Sequence, residues 1–177
     1  MASGTLEETA LFLVHTLKQL LFGFEQLDDL DEHVTDGSPA KAFYLNSVYN
    51  YLALLFLLGP KGRPMAGSVY PALQRHGLCH LLNPVKAVLD EPIGGMSFGE
   101  LVRVFRNSAF VHPAYSDADL DRVYESVDMM DPDNQNRFQE LLLRLYVAIK
   151  DLAVSIAQAT GRPLDDFGLR SIDTHFS

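Results

Sequence analysis

Cysteine is almost missing from this 177-residue chain; Cys79 is the only one. That excludes an internal disulfide and a Cys-rich zinc site, and it suits a reducing, cytoplasmic compartment. Positive charge is also scarce, with 14 Lys+Arg against 23 Asp+Glu and a net charge of −9. Such a balance argues against a protein that coats nucleic acid by bulk electrostatics, and leaves open a local basic site. Phosphate-loop and dinucleotide glycine fingerprints are absent, so nucleotide use through those folds has no support. No segment reads convincingly as a strand. The first eight residues, Met1-Ala2-Ser3-Gly4-Thr5-Leu6-Glu7-Glu8, are acidic where a secretory signal needs a basic start, so no signal peptide is expected. What is present is enough for one folded domain: 47% apolar and 21% charged residues, at a length that buries about 70% of the unfolded surface.

Helical periodicity dominates. Leu6, Ala10, Leu13, Leu17, Leu20, Phe24 and Leu27 follow a 4-3 spacing behind a Thr5/Glu8 capping box, which predicts a helix over about 6–28. Leu11, Phe12, Val14, Leu21 and Phe22 add apolar surface outside that seam, so this helix is either central or faces another chain. Ser38-Pro39 starts a second helix to about 58, with Phe43, Val48, Tyr51, Leu52, Leu55 and Leu58 on one stripe. Residues 42–60 carry no charge. Asn46, Ser47, Asn50 and three tyrosines nevertheless make a buried bundle helix the better reading than a membrane span. Between 59 and 89 the prolines and glycines allow only short helices, with Asn83-Pro84 as a cap and first position. A Ser97/Glu100 capping box opens a helix over 97–112, a short acidic helix follows over 117–129, and Asp131-Pro132 caps the last one, 134–160. The expected fold is all-α, a bundle of four to five main helices plus short ones, in one domain over 1–160 with a polar tail, 161–177. Its core should include Leu13, Leu17, Leu20, Val48, Leu52, Leu55, Phe105, Leu142, Leu145, Ile149 and Leu152.

Most chemical motifs fail on inspection. Ile93-Gly94-Gly95-Met96 precedes a capping box and follows no strand, so it is a connector and not a phosphate cradle. Asp131–Asn136 resembles the front of a calcium loop, but Asn136 stands where glycine is needed and Leu142 where the bidentate glutamate belongs. His76 and His80 are four apart with Gly77 between them and no acidic neighbour, and no Glu-x-x-His pair occurs, so neither metal nor cofactor is expected. Cys79 reads as a small buried hydrophobe. The segment 59–89 holds Lys61, Arg63, Arg75 and Lys86 and no acidic residue, the one basic stretch of an acidic chain. There remains Phe105-Arg106-Asn107-Ser108-Ala109-Phe110-Val111-His112-Pro113. On a straight helix Arg106 and His112 would point about 120° apart and lie about 9 Å apart along the axis. Spacing alone is met by an exposed arginine and a histidine at the negative end of the helix dipole. A bend before Pro113, or a symmetric partner chain, would bring the two groups together.

The Arg106-Asn107-x4-His112 arrangement resembles the HEPN superfamily of all-helical domains. So does the order of elements over roughly residues 5–160: two long helices, a variable middle, the motif helix and a long final helix. The resemblance implies a metal-independent endoribonuclease of toxin or phage-defence type, working as a homodimer and balanced by an inhibitory partner protein. It implies that Arg106 stabilises charge on the scissile phosphate, that His112 moves protons in attack by the RNA 2′-OH, and that Asn107 orients the phosphate. Lys61, Arg63, Arg75 and Lys86 would then bind RNA. A non-catalytic helical module for binding or dimerisation is the alternative from another class. No membrane partner is expected.

Overall fold

The computed structural model describes residues 5–33, 69–106, 125–128 and 131–169. The expected second helix and its core residues Val48, Leu52 and Leu55 lie outside them, as do residues 117–124 and 129 of the short acidic helix expected over 117–129. Among the described residues the fold is all-α: five α-helices, two 3-10 turns and a single short hairpin.

Helix α1, Leu6–His33, begins with both halves of its capping box in place: the Thr5 N–H donates to Glu8 Oε2 at 2.9 Å and the Glu8 N–H to Thr5 Oγ1 at 3.1 Å. It runs about five residues further than the hydrophobic seam, because residues 28–33 contain no glycine or proline to stop it. Ala10, Leu13, Val14, Leu17, Leu20 and Leu21 are buried. Thr9 and Thr16 are buried among them, and each hydroxyl donates to the carbonyl four residues back, at 2.8 Å, so neither is left without a partner. Much of the extra apolar surface on this helix therefore serves the core, and Leu11 and Phe22 alone of the five extra residues stay exposed.

Helix α2, Val69–Arg75, tolerates Pro71 because it falls in the first turn. It closes in a Schellman arrangement: Gly77 takes φ +70°, its N–H reaches Gln74 O, and the Leu78 N–H reaches Leu73 O. A 3-10 turn, Cys79–Leu82, leads directly into α3, Asn83–Leu89. Asn83 is consequently not the cap that its sequence suggests: its backbone is already helical and its N–H donates to His80 O.

The chain then forms the hairpin that periodicity does not reveal. Strands β1, Pro92–Ile93, and β2, Met96–Ser97, pair antiparallel, with Pro92 opposite Ser97 and Ile93 opposite Met96. Two residues per strand are too few to show alternation, which corrects the expectation of no strand at all. The Gly94-Gly95 connector is its turn. Gly94 has φ +55°, and a Cβ there would stand 2.5 Å from the Ser126 carbonyl oxygen, so both conformation and space demand glycine.

Helix α4, Phe98–Arg106, follows at once, with Ser97 Oγ accepting from the Glu100 N–H at 3.2 Å. Phe98, Leu101 and Val102 are fully buried. The side chain of Phe105 lies outside the described residues, as does any continuation to 112. The last helix, α5, Pro132–Ala159, is capped by Asp131, whose carboxylate accepts from the Asp133 N–H at 2.9 Å, with Pro132 at its first position. Its buried face is carried by Leu141, Leu145, Ile149, Leu152 and Ile156. Leu142, expected in the core, is only half-buried, while Leu141 is fully buried; a strict seven-residue repeat drifts around a straight helix, and the core follows the 3.6-residue turn.

Helices α1 and α5 share the most extensive packing, and α3 lies against both α5 and α4. The packed unit does not end with α5. Phe167 and Leu169, in the segment expected as a polar tail, are buried in the same core. Arg162 holds that segment down: it pairs with Glu7 of α1 and with Asp166, and its guanidinium lies 5.8 Å over the Phe167 ring.

Candidate functional site

Helix α4 carries the start of the Arg-Asn-x4-His motif, and its first turn is held in three ways. The Phe98 N–H donates to the Glu91 carbonyl at 2.8 Å, closing the hairpin onto the helix start. The Phe98 ring packs edge-on against Phe138 of α5, with centroids 5.7 Å apart and planes at 70°. Third, the Glu91 side chain is gripped by two arginines of α5: Arg144 Nη2 at 2.6 Å on one carboxylate oxygen and Arg137 Nη2 at 2.7 Å on the other.

Those arginines are seven residues apart, two turns of helix, and Glu140 lies between them on the same face. Glu140 accepts from Arg137 at 2.7 Å and lies 3.5 Å from Arg144, so Glu91, Arg137, Glu140 and Arg144 close a ring of alternating charge. The hydrogen bond from Arg144, ahead of the charges of both arginines, holds the Glu91 carboxyl below its ordinary pKa. Glu140 is lowered for the like reason, first by its bond from Arg137, and Arg144 is raised, first by its bond to Glu91. Sequence reading missed this ring. The helical half of it, Arg137-x2-Glu140-x3-Arg144, was visible as a charge pattern; Glu91, 46 and 53 positions away from the arginines it meets, was not.

Arg106 stands in the last described turn of α4, and its side chain lies outside the described residues. Asn107 and His112 lie outside them too, as do Lys61 and Arg63. The chain reappears at residues 125–128 against the hairpin: the Gly95 N–H donates to Ser126 O at 2.7 Å, and Val127 is fully buried. Residue 106, at the end of α4, and residues 125–128, against the turn that precedes α4, bound in sequence the stretch that contains Asn107 and His112.

Of the basic residues, Lys86 lies half-buried on α3, the helix packed against α4, whereas Arg75 is exposed at the end of α2, which packs on α1. The structure therefore brings Lys86's helix to the motif helix and places Arg75 on a different pair of elements. His76 and His80 are exposed, and Cys79 is half-buried. No three His, Cys, Asp or Glu side chains among the described residues stand close enough to hold a metal ion. No helix among them is long and apolar enough to cross a membrane. Comparison with known proteins yields no matching family model, no matching curated protein and no matching solved structure.

Proposed function

We propose that this protein is a HEPN-like, metal-independent endoribonuclease of the toxin or defence kind, acting in the cytoplasm as a homodimer restrained by a partner protein. The observation that supports it is the way α4 is mounted. Its first turn is bonded to the hairpin, packed on Phe138 and, through Glu91, tied to the arginines of α5, while Arg106 of the motif stands in its last described turn. A catalytic arginine needs such a fixed base, because an electrostatic clamp contributes only when its geometry is set before the reaction.

In this reading His112 takes the proton of a ribose 2′-OH as that oxygen attacks the adjacent phosphorus, and the bond to the 5′-oxygen breaks. The products are a 2′,3′-cyclic phosphate and a 5′-hydroxyl end, the leaving oxygen receiving a proton from the partner's imidazole or from water. Arg106 offers its planar fork to the non-bridging oxygens as their charge grows, and Asn107 orients the phosphate. Lys86, Arg75, Lys61 and Arg63 draw the strand in.

Single-stranded RNA incubated with the protein in EDTA tests this. Cleavage to cyclic-phosphate ends is expected, and Arg106→Ala or His112→Ala should each lower the rate about a hundredfold or more. The double variant should be little worse than either single one, since the groups act as a unit. Cleavage that survives both substitutions, or stops with chelator, refutes the proposal. With no cleavage at all, the binding or dimerisation module is the better account.

A further inference from the structure

One side of α5 packs into the core, and the other carries apolar residues into solvent. Asn136, Glu140, Leu143, Val147, Lys150 and Val154 follow one another at 4-3-4-3-4 spacing along the outward side, opposite the buried line of Leu141, Leu145, Ile149, Leu152 and Ile156. Leu143 is 53% exposed and Val147 47%, whereas Asn136 and Glu140 are exposed and Lys150 and Val154 half-exposed. We propose that this line is where a second copy of the chain docks, α5 against α5, antiparallel about a two-fold axis midway between Leu143 and Val147.

The order of residues along the line argues for that occupant. About such an axis Leu143 of one copy meets Val147 of the other, and Val147 meets Leu143, which gives an apolar centre of two equivalent contacts. One turn further out, Glu140 meets Lys150 twice, once at each end, with opposite charges facing. Asn136 meets Val154 at the rim. The surface is self-complementary, as an isologous interface must be. Glu140 keeps acceptor capacity beyond its two arginines, and Lys150 has three donors, so each can take this contact besides those it already makes.

The outward line of α1 makes the contrast. Glu8, Leu11, His15, Lys18, Phe22 and Glu25 are all exposed at the same kind of spacing. Folding that line on a copy of itself about its centre would bring Leu11 to Phe22, but would also set Glu8 against Glu25 and His15 against Lys18. The facing carboxylates repel at both ends and no opposite charges face each other across the line, so α1, which the sequence suggested as a dimer face, does not suit a copy of itself in this way. The face on α5 goes beyond the homodimer proposed above by locating it, and it holds whether or not the chain cuts RNA.

The test reads mass and not cleavage. Sedimentation equilibrium of the full chain up to about 100 µM should show a particle of twice the 19.7 kDa chain mass. Val147→Glu, an exposed position, should weaken the dimer at least tenfold while leaving the helical circular dichroism unchanged. Glu140→Lys and Lys150→Glu should each weaken it through like charges at both ends. A mixture of the two variants should recover the dimer, since every facing pair is then again of opposite sign. That recovery separates repulsion at the interface from loss of Glu140's bonds to Arg137 and Arg144, which mixing cannot restore. A monomer throughout the concentration range overturns the proposal. A dimer indifferent to Val147→Glu, or a mixture that stays monomeric, overturns this face while leaving a homodimer through another.

Discussion

Replacing Phe98 by alanine tests how the motif helix is mounted. The side chain is fully buried at the junction of the hairpin and α4, and its ring meets Phe138 edge-on at 5.7 Å. Removing a buried phenyl ring costs about 3–5 kcal/mol in transfer and cavity energy. The edge-to-face contact accounts for roughly 0.5–1.5 kcal/mol of specific coupling between the two rings. For a domain of this size each kcal/mol moves Tm by about 2–4 °C, so Phe98→Ala should melt roughly 6–20 °C below wild type. The loss is comparable to the whole stability of a marginal domain, so urea titration, which also returns the m-value, is the assay of choice. Phe98→Ala, Phe138→Ala and the double variant complete a cycle, and the double loss should fall short of the sum of the single ones by the coupling energy. A Phe98→Ala cost below about 1 kcal/mol, or strictly additive losses, would show that the start of α4 is not packed on α5 as described.

Gly94→Ala should destabilise by roughly 1–3 kcal/mol, because the residue has φ +55° and its new methyl would meet the Ser126 carbonyl at 2.5 Å; thermal melting against Gly77→Ala, which has the same sign of φ but open space around it, separates the steric part. The charge ring predicts an acid-sensitive link. Glu91 and Glu140 have folded-state pKa values below the ordinary glutamate value, so the stability they add is present above the unfolded pKa and is lost as pH falls through the lower folded one. Chemical unfolding at a series of pH values below 5 should therefore show a shallower acid decline for Glu91→Gln than for wild type, and an equal decline in the two would remove the link.

The parts of this fold that the sequence announces are those with local causes. Thr5 and Glu8 are three residues apart and cap each other within one turn, Asp131-Pro132 starts α5 at the expected place, and Gly77 ends α2 where a helix breaker stands. The apolar repeats of α1 and α5 are local in the same sense, since 3.6 residues per turn determine which side chains share a face. Other features misled for an equally physical reason. Asn83 carries the signature of a cap, but the 3-10 turn before it already supplies its N–H with a partner. The hairpin is too short for any repeat, and the segment after 160 looks like a tail until Phe167 and Leu169 are seen in the core.

The candidate site divides along the same line. That Arg106, Asn107 and His112 form a motif, and that Arg106 falls within a capped amphipathic helix, could be read from residues within one short stretch. That the start of this helix is bound to α5 could not, because Glu91 meets Arg137 and Arg144 across 46 and 53 residues of chain. The same holds for Gly94 beneath Ser126 and for Lys86, whose helix lies beside the motif helix while Arg75's lies on α1. Helix caps, breakers and the turn-by-turn repeat are short-range interactions written into consecutive residues, so the sequence by itself determined the predominantly helical character of the described residues and where most of their helices begin. Which helix lies against which, which outward face is left in solvent and which carboxylate closes the charge ring depend on contacts between distant segments, whose partners exist only once the chain has folded, and these the tertiary structure alone decided.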